Sequence, residues 1–113
     1  MTDRRALGAA GEQAVAAWYE ARGYRVVDRN WSTKEGELDL VVRKGRLHVF
    51  CEVKTRSTSA FGSPALAVTR AKQQRLRATA AAWLQANRAR PKGIRFDVAS
   101  VVGDEVAVIE GAF

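Results

Sequence analysis

Gly36-Glu37-Leu38-Asp39-Leu40-Val41-Val42-Arg43-Lys44-Gly45-Arg46-Leu47-His48-Val49-Phe50-Cys51-Glu52-Val53-Lys54 reads as two apolar strands joined by a tight turn. Lys44-Gly45 is the turn signal, and the flanking residues alternate or run apolar as strands do. Acidic side chains are poor occupants of a sheet interior, so Glu37, Asp39 and Glu52 on adjacent strands require a reason. A divalent metal ion is one. With Lys44-Gly45 as a two-residue loop, Arg43 pairs with Arg46, Val41 with His48, Asp39 with Phe50 and Glu37 with Glu52. Glu37, Asp39, Glu52 and Lys54 then share one face, with Asp39 and Glu52 as diagonal neighbours roughly 7–8 Å apart. Leu38, Leu40, Val42, Val49, Cys51 and Val53 fill the other face. A three-residue loop would reverse this parity, and both loops fit the sequence.

The 113 residues predict one domain, 1–113, large enough to bury roughly two thirds of its unfolded surface. No apolar run of about 18 residues is present, so no membrane-spanning helix is expected. The start, Met1-Thr2-Asp3-Arg4-Arg5, leads into a mixed helix rather than a signal peptide. Cys51 is the single cysteine, which rules out an intrachain disulfide or a cysteine-based zinc site. A cytoplasmic protein is the expectation.

The net charge of +7 is unevenly placed. From Val53 to Phe96 there is no acidic residue, yet Lys54, Arg56, Arg70, Lys72, Arg75, Arg77, Arg88, Arg90, Lys92 and Arg95 all fall there. Such a stretch suits phosphate neutralisation, against the plainer alternative of a solvated basic helix.

Leu7, Ala10, Ala14, Val15 and Trp18 recur at helical intervals, giving a first helix from Arg4 to Arg22 stopped by Gly23. Tyr24 to Asn30 reads as a short strand, Ser32 to Gly36 as a polar loop. After Lys54 an open segment, Thr55 to Ser63, precedes a helical turn at Ser63-Pro64. Thr69 caps a long helix from Arg70 to Asn87, with Leu76, Ala80, Trp83 and Leu84 buried and Lys72, Gln73 and Arg75 off that stripe. Ile94 to Val102 and Glu105 to Ile109 are two further strands around Gly103-Asp104. The fold class is α/β, in the order α-β-β-β-α-β-β. The helical crossover makes the third and fourth strands parallel in a mixed sheet of about five strands.

These residues resemble the PD-(D/E)xK nucleases of the restriction-endonuclease-like fold, and the element order resembles archaeal Holliday-junction resolvases. The whole chain is more closely similar to the bacterial YraN-like family of small proteins. The resemblance is carried by Gly11-Glu12, Gly23-Tyr24, Gly36-Glu37-Leu38-Asp39-Leu40, Phe50-Cys51-Glu52-Val53-Lys54-Thr55-Arg56, Phe61-Gly62, Lys72 with Arg75, and Arg95-Phe96-Asp97-Val98. The Pro of the nuclease motif is replaced by Leu38. That residue is not a ligand.

The resemblance implies a three-layer fold and a Mg²⁺- or Mn²⁺-dependent endonuclease acting on DNA, branched or otherwise structured. The metal would be held by Asp39, Glu52, the Val53 carbonyl and Glu12, the last directly or through water. Lys54 would hold the attacking water and the developing charge on phosphorus. Lys72 and Arg75 would grip neighbouring phosphates, with Arg56 and Phe61-Gly62 shaping the path. Glu37 is either a third strand carboxylate at the metal or an orienter of an Arg, and Asp97 is expected to pair with an Arg. His48 and Cys51 read as structural, and Trp31 is the aromatic to consider for base stacking. A homodimer would suit a two-fold junction. The alternatives are a nucleic-acid-binding protein of the same fold without turnover of its own, and an adaptor whose basic helix meets an acidic protein.

Overall fold

The computed structural model describes residues 4–56 and 68–113, and the expected helical turn at Ser63-Pro64 and the Phe61-Gly62 segment lie outside them. The elements are α1 (Arg4–Glu20), β1 (Arg25–Thr33), β2 (Gly36–Lys44), β3 (Leu47–Arg56), α2 (Arg70–Ala86), β4 (Gly93–Val102) and β5 (Glu105–Ile109). The five strands lie side by side in chain order, antiparallel except for the parallel β3–β4 pair. A helix covers each face. Val15, Ala16 and Tyr19 of α1 pack on Leu40, Val42, Val49 and Cys51; Leu76, Ala80 and Trp83 of α2 pack on Leu38, Val41, Phe50, Phe96 and Val98. This is the three-layer α/β arrangement that the resemblance implies.

Local chemistry sets the element ends. Gly23 takes φ 89, its N–H donates to the Glu20 carbonyl, and the Tyr24 N–H donates to that of Tyr19, closing α1 in the left-handed cap that favours glycine. β1 runs three residues past the expected Asn30, because Ser32 and Thr33 pair with Glu37 and Gly36, and the polar loop shrinks to a turn at Lys34-Glu35. At the other end of the hairpin the loop is Gly45-Arg46 rather than Lys44-Gly45. Gly45 adopts φ 60 at the first loop position, where a two-residue hairpin requires positive φ. Lys44 therefore pairs with Leu47, Arg43 with His48 and Val41 with Phe50. The loop still has two residues, so the expected parity of the faces survives while each partner moves by two.

One residue departs from the expected face. Leu38 packs with the α2-side cluster, although Leu40 lies in the α1-side cluster. The strand turns over at Asp39. Here the β1–β2 register passes from Arg29↔Leu40 to Trp31↔Leu38 across Asn30, which has φ 50, and the β2–β3 pairing ends at Leu40↔Cys51. Beyond that point β2 and β3 separate.

Gly11 seats α1 over the separated end. A Cβ there would run into Thr55 Oγ1 and come within 3.0 Å of Thr55 Cβ and Cγ2. Gly11→Ala should therefore destabilise the chain by about 1–3 kcal/mol in urea unfolding, as overpacking does. Thr55→Ala in the same background should recover part of the loss. An unchanged midpoint for Gly11→Ala would contradict the close seating.

Candidate active site at the divergence of β2 and β3

Asp39 is the first residue of β2 beyond the last β2–β3 pair, Leu40↔Cys51. Its Oδ2 accepts a hydrogen bond of 2.9 Å from the Val53 N–H, so a side chain holds β3 where the β2–β3 pairing has ended. Continuing the observed register one step sets Asp39 opposite Glu52, not diagonal to it. Glu52 is buried at 7 % exposure. Its Oε1 lies 2.7 Å from Lys72 Nζ at the start of α2 and 3.5 Å from Lys54 Nζ on its own strand.

Lys72 corrects the helix reading. It is half-buried and falls on the stripe with Leu76, Thr79 and Trp83, pointing at the sheet rather than away from it. Thr69 is the N-cap as expected, accepting from the Lys72 N–H at 3.2 Å, so the cap also fixes the first turn from which Lys72 reaches Glu52. Gln73 is likewise half-buried and donates to the Val68 carbonyl at 3.1 Å. Arg75 is exposed on α2, and Arg56 ends β3 beside Val102 of β4.

Glu12 approaches from α1. Asn30 Nδ2 donates to its Oε1 at 3.0 Å, which gives the left-handed Asn30 a role in orienting it. Glu37 is exposed and pairs through its backbone with Ser32, not with Glu52 as the expected register had it, and its charge still reaches Asp39 and Glu12.

The electrostatics follow from this crowding. Burial, then the charge of Glu52, pushes the Asp39 carboxyl up to about 7 against the opposing Val53 N–H, and Glu12 and Glu37 add to the rise. Glu12 is also raised, chiefly by burial, with the Asn30 hydrogen bond opposing. Burial and the neighbouring Lys72 hold Lys54 below the ordinary lysine range. Lys72 moves the other way: its hydrogen bond to Glu52 and the charges of Glu52 and Asp39 outweigh its burial.

The donor set suits a hard cation. Among the described residues no three His, Cys, Asp or Glu side chains form a ready-made ligand group. Asp39 and Glu52 instead form a two-carboxylate site in which burial and the neighbouring carboxylate raise the Asp39 carboxyl, and Glu52 already gathers two ammonium groups. Mg²⁺ is commonly bound by one or two carboxylates and retained waters.

Other sequence-marked residues fall outside this site. Asp97 is fully buried and accepts from Tyr19 Oη (2.6 Å), Arg95 Nε (2.8 Å), Arg95 Nη2 (2.9 Å) and the Gly111 N–H (3.0 Å), the Arg pairing expected of it. Cys51 is buried and its thiol is pushed up by burial, so it is a core group. Trp31 packs half-buried against the α2-side core. Sequence reading missed Asn30; an Asn within an otherwise extended segment was the available signal.

Residues 11–101 match the family described as Uncharacterised protein family UPF0102, and the chain belongs to it. It is 51% identical over 102 residues to a UPF0102 protein of Beutenbergia cavernae, covering 90% of this chain and 86% of that one. A UPF0102 protein of Frankia alni is 48% identical over 101 residues, covering 89% and 84% respectively. One from Myxococcus xanthus is 46% identical over 101 residues, covering 89% and 80%. The YraN-like resemblance is thus borne out, and the matched span contains Glu12, Asp39, Glu52 and Lys54. Among the described residues no helix is long and apolar enough to cross a membrane.

The raised carboxyl has a sign for stability. Folded Asp39, raised to about 7, keeps its proton longer than the unfolded chain, which releases it near the ordinary 3.8, so metal-free stability falls as pH rises between them and is level above. Asp39→Asn keeps an acceptor for Val53 and removes the charge. Its melting temperature should match the parent's near pH 4 and exceed it by on the order of 5 °C at pH 8. Millimolar Mg²⁺ should raise the parent's value at pH 8 and leave that of Asp39→Asn in place. A pH-independent difference between the two would refute the assignment.

Proposed function

We propose that this chain is a metal-dependent endonuclease that hydrolyses phosphodiester bonds of DNA, with branched or structured DNA as the preferred substrate. The observation that supports the reading most is the meeting of Asp39, Glu52, Lys54 and Lys72 where β2 and β3 part. Such a site needs carboxylates for a cation and ammonium groups for phosphate, close together, and both meet here around Glu52.

Asp39, Glu52 and the Val53 carbonyl would hold Mg²⁺ or Mn²⁺, with Glu12 reaching it through water. A divalent ion there acidifies water, neutralises phosphate oxygens and stabilises the leaving oxygen. The protein's own groups do the rest. Lys54, whose proton is loosened by burial and by Lys72, is suited to exchange a proton with the attacking water and to meet charge growing on phosphorus. Lys72 keeps its proton and holds Glu52 in place until substrate arrives, when its ammonium can turn to a phosphate oxygen. Arg75, three residues on along α2, and Arg56 at the end of β3 extend the cationic track. For a domain of this size, recognition by shape and backbone is the economical reading. A homodimer would set two such sites on a two-fold junction.

A second reading is a DNA-binding protein of the same fold without turnover of its own. It is favoured by the 2.7 Å Lys72–Glu52 pair, which occupies a would-be ligand, and by the lack of a third gathered carboxylate among the described residues.

Labelled four-way junction, flap, linear duplex and single strand, incubated with Mg²⁺ or Mn²⁺, separate the two. The nuclease should cut at least one substrate. Glu52→Gln should abolish cutting, and Lys54→Ala should slow it by about 10²–10⁴-fold, as loss of a proton-transfer group does. Salt-dependent binding without cleavage by the parent would leave the binding reading. Cleavage unaffected by Glu52→Gln would mark a contaminant.

A further inference from the structure

The opposite end of the β2–β3 hairpin carries a second concentration of charge. A cleft of about 440 Å³ opens between the Gly45-Arg46 turn and the loop that follows α2. Among the described residues, four arginines line it, Arg43 and Arg46 from the hairpin and Arg88 and Arg90 from the loop, and no acidic residue does. Among the described residues none of the four pairs with a carboxylate.

The walls are fixed to each other. Arg46 Nη2 donates to the Arg90 carbonyl at 3.1 Å, and the Lys92 and Gly93 N–H groups donate to the Arg46 carbonyl at 2.9 and 3.3 Å. A helix C-terminus is ordinarily hostile to an anion. Here the last carbonyls of α2 are taken: Trp83 by the Asn87 backbone and side chain, Leu84 by Ala89, and Gln85 by Arg88. Arg88 closes that cap at φ 51, a left-handed position where glycine is the favoured residue. The strained choice puts an arginine, and not a glycine, in the cleft wall.

His48 also lines the cleft, beside Trp83 at 5.7 Å between ring centroids. It is only 6 % exposed, and its Nδ1 has no hydrogen-bond partner among the described residues. Buried polar atoms are rarely left so, and this one, closed off beneath the cleft wall, makes His48 a sensitive reporter of the cleft.

We propose that this cleft binds a phosphomonoester, presented by a free nucleotide or by the phosphorylated end of a nucleic-acid strand. Guanidinium forks match phosphate oxygens geometrically. Four of them far exceed the single charge of a backbone phosphodiester and better match a terminal phosphate, which is close to a dianion. The volume falls in the range of small-ligand sites. The proposal is independent of the Asp39–Glu52 reading, because the two sites lie at opposite ends of the hairpin.

His48 is the chain's sole histidine, so its imidazole NMR signals report on the cleft without overlap. Titration with adenosine monophosphate and with a terminally phosphorylated oligonucleotide should shift those signals saturably. Adenosine and the same oligonucleotide ending in hydroxyl should not. Equal affinity for the two phosphorylated ligands would identify the free nucleotide as sufficient, and tighter binding of the strand would identify a strand end; either supports the site. Arg43→Gln with Arg46→Gln should weaken binding at least tenfold. Arg88→Gly should weaken it while raising the melting temperature, which separates lost binding from lost folding. No saturable shift with either phosphorylated ligand, equal shifts with the phosphate-free ones, or full affinity in Arg88→Gly would each overturn the proposal.

Discussion

The hydrogen bond from the Val53 N–H to the Asp39 carboxylate is the constraint around which the rest of the molecule is arranged. A sheet ladder is continuous when each backbone donor finds a backbone acceptor. At Asp39 a side chain supplies the acceptor, and β2 is free to diverge from β3. The opening lets α1 bring Glu12 from one layer and α2 bring Lys72 from the other to the same end of the sheet. Gly11, which allows α1 to lie against Thr55, and Thr69, which starts α2 where Lys72 can reach Glu52, serve this one opening.

Two aspartates, Asp39 half-buried and Asp97 fully buried, show how differently one residue type can be used. Asp97 accepts four hydrogen bonds, two of them from Arg95, and ties α1, β4 and the turn at Gly111 together. Its charge is fully compensated within the fold. Asp39 accepts one backbone hydrogen bond and faces further carboxylates. Its charge is not. The first arrangement is what stability alone produces; the second is tolerated at a cost, which is why Asp39 and not Asp97 belongs to the candidate site.

Much of this was legible in the sequence, for reasons that can be stated. Apolar periodicity exposed every described helix and strand, and Gly23 and Thr69 marked helix ends because capping is local chemistry. The shared face of Asp39 and Glu52 followed from strand parity, which depends only on the loop having two residues; their direct opposition did not. The register itself did not follow: Lys44-Gly45 and Gly45-Arg46 are both short turns, and only the positive φ of Gly45 at the first position chooses between them. Leu38 was misplaced because alternation assumes a flat strand, and β2 turns over at Asp39. Lys72 was read as outward because a lysine in a helix ordinarily seeks water. Its inward turn depends on a buried carboxylate contributed by another layer, and a helical pattern carries no record of that.

The arginine cleft was hidden for a related reason. Arg43, Arg46, Arg88 and Arg90 come from two segments far apart in sequence, each of which reads as ordinary solvated turn. The hydrogen bonds between the hairpin turn and the Arg90–Gly93 segment bring them together, and the parallel pairing of Leu47 with Gly93 sets the distance. The same β3–β4 register thus determines what stands at both ends of the hairpin. At one end it leaves Glu52 next to the separated β2, where negative charge accumulates; at the other it closes a loop of arginines over His48. Like charges repel within each group, so neither is favoured by the fold on its own account. Each is a local instability held by the surrounding core, and a bound counter-charge would relieve both: a cation at the carboxylates and an anion at the arginines.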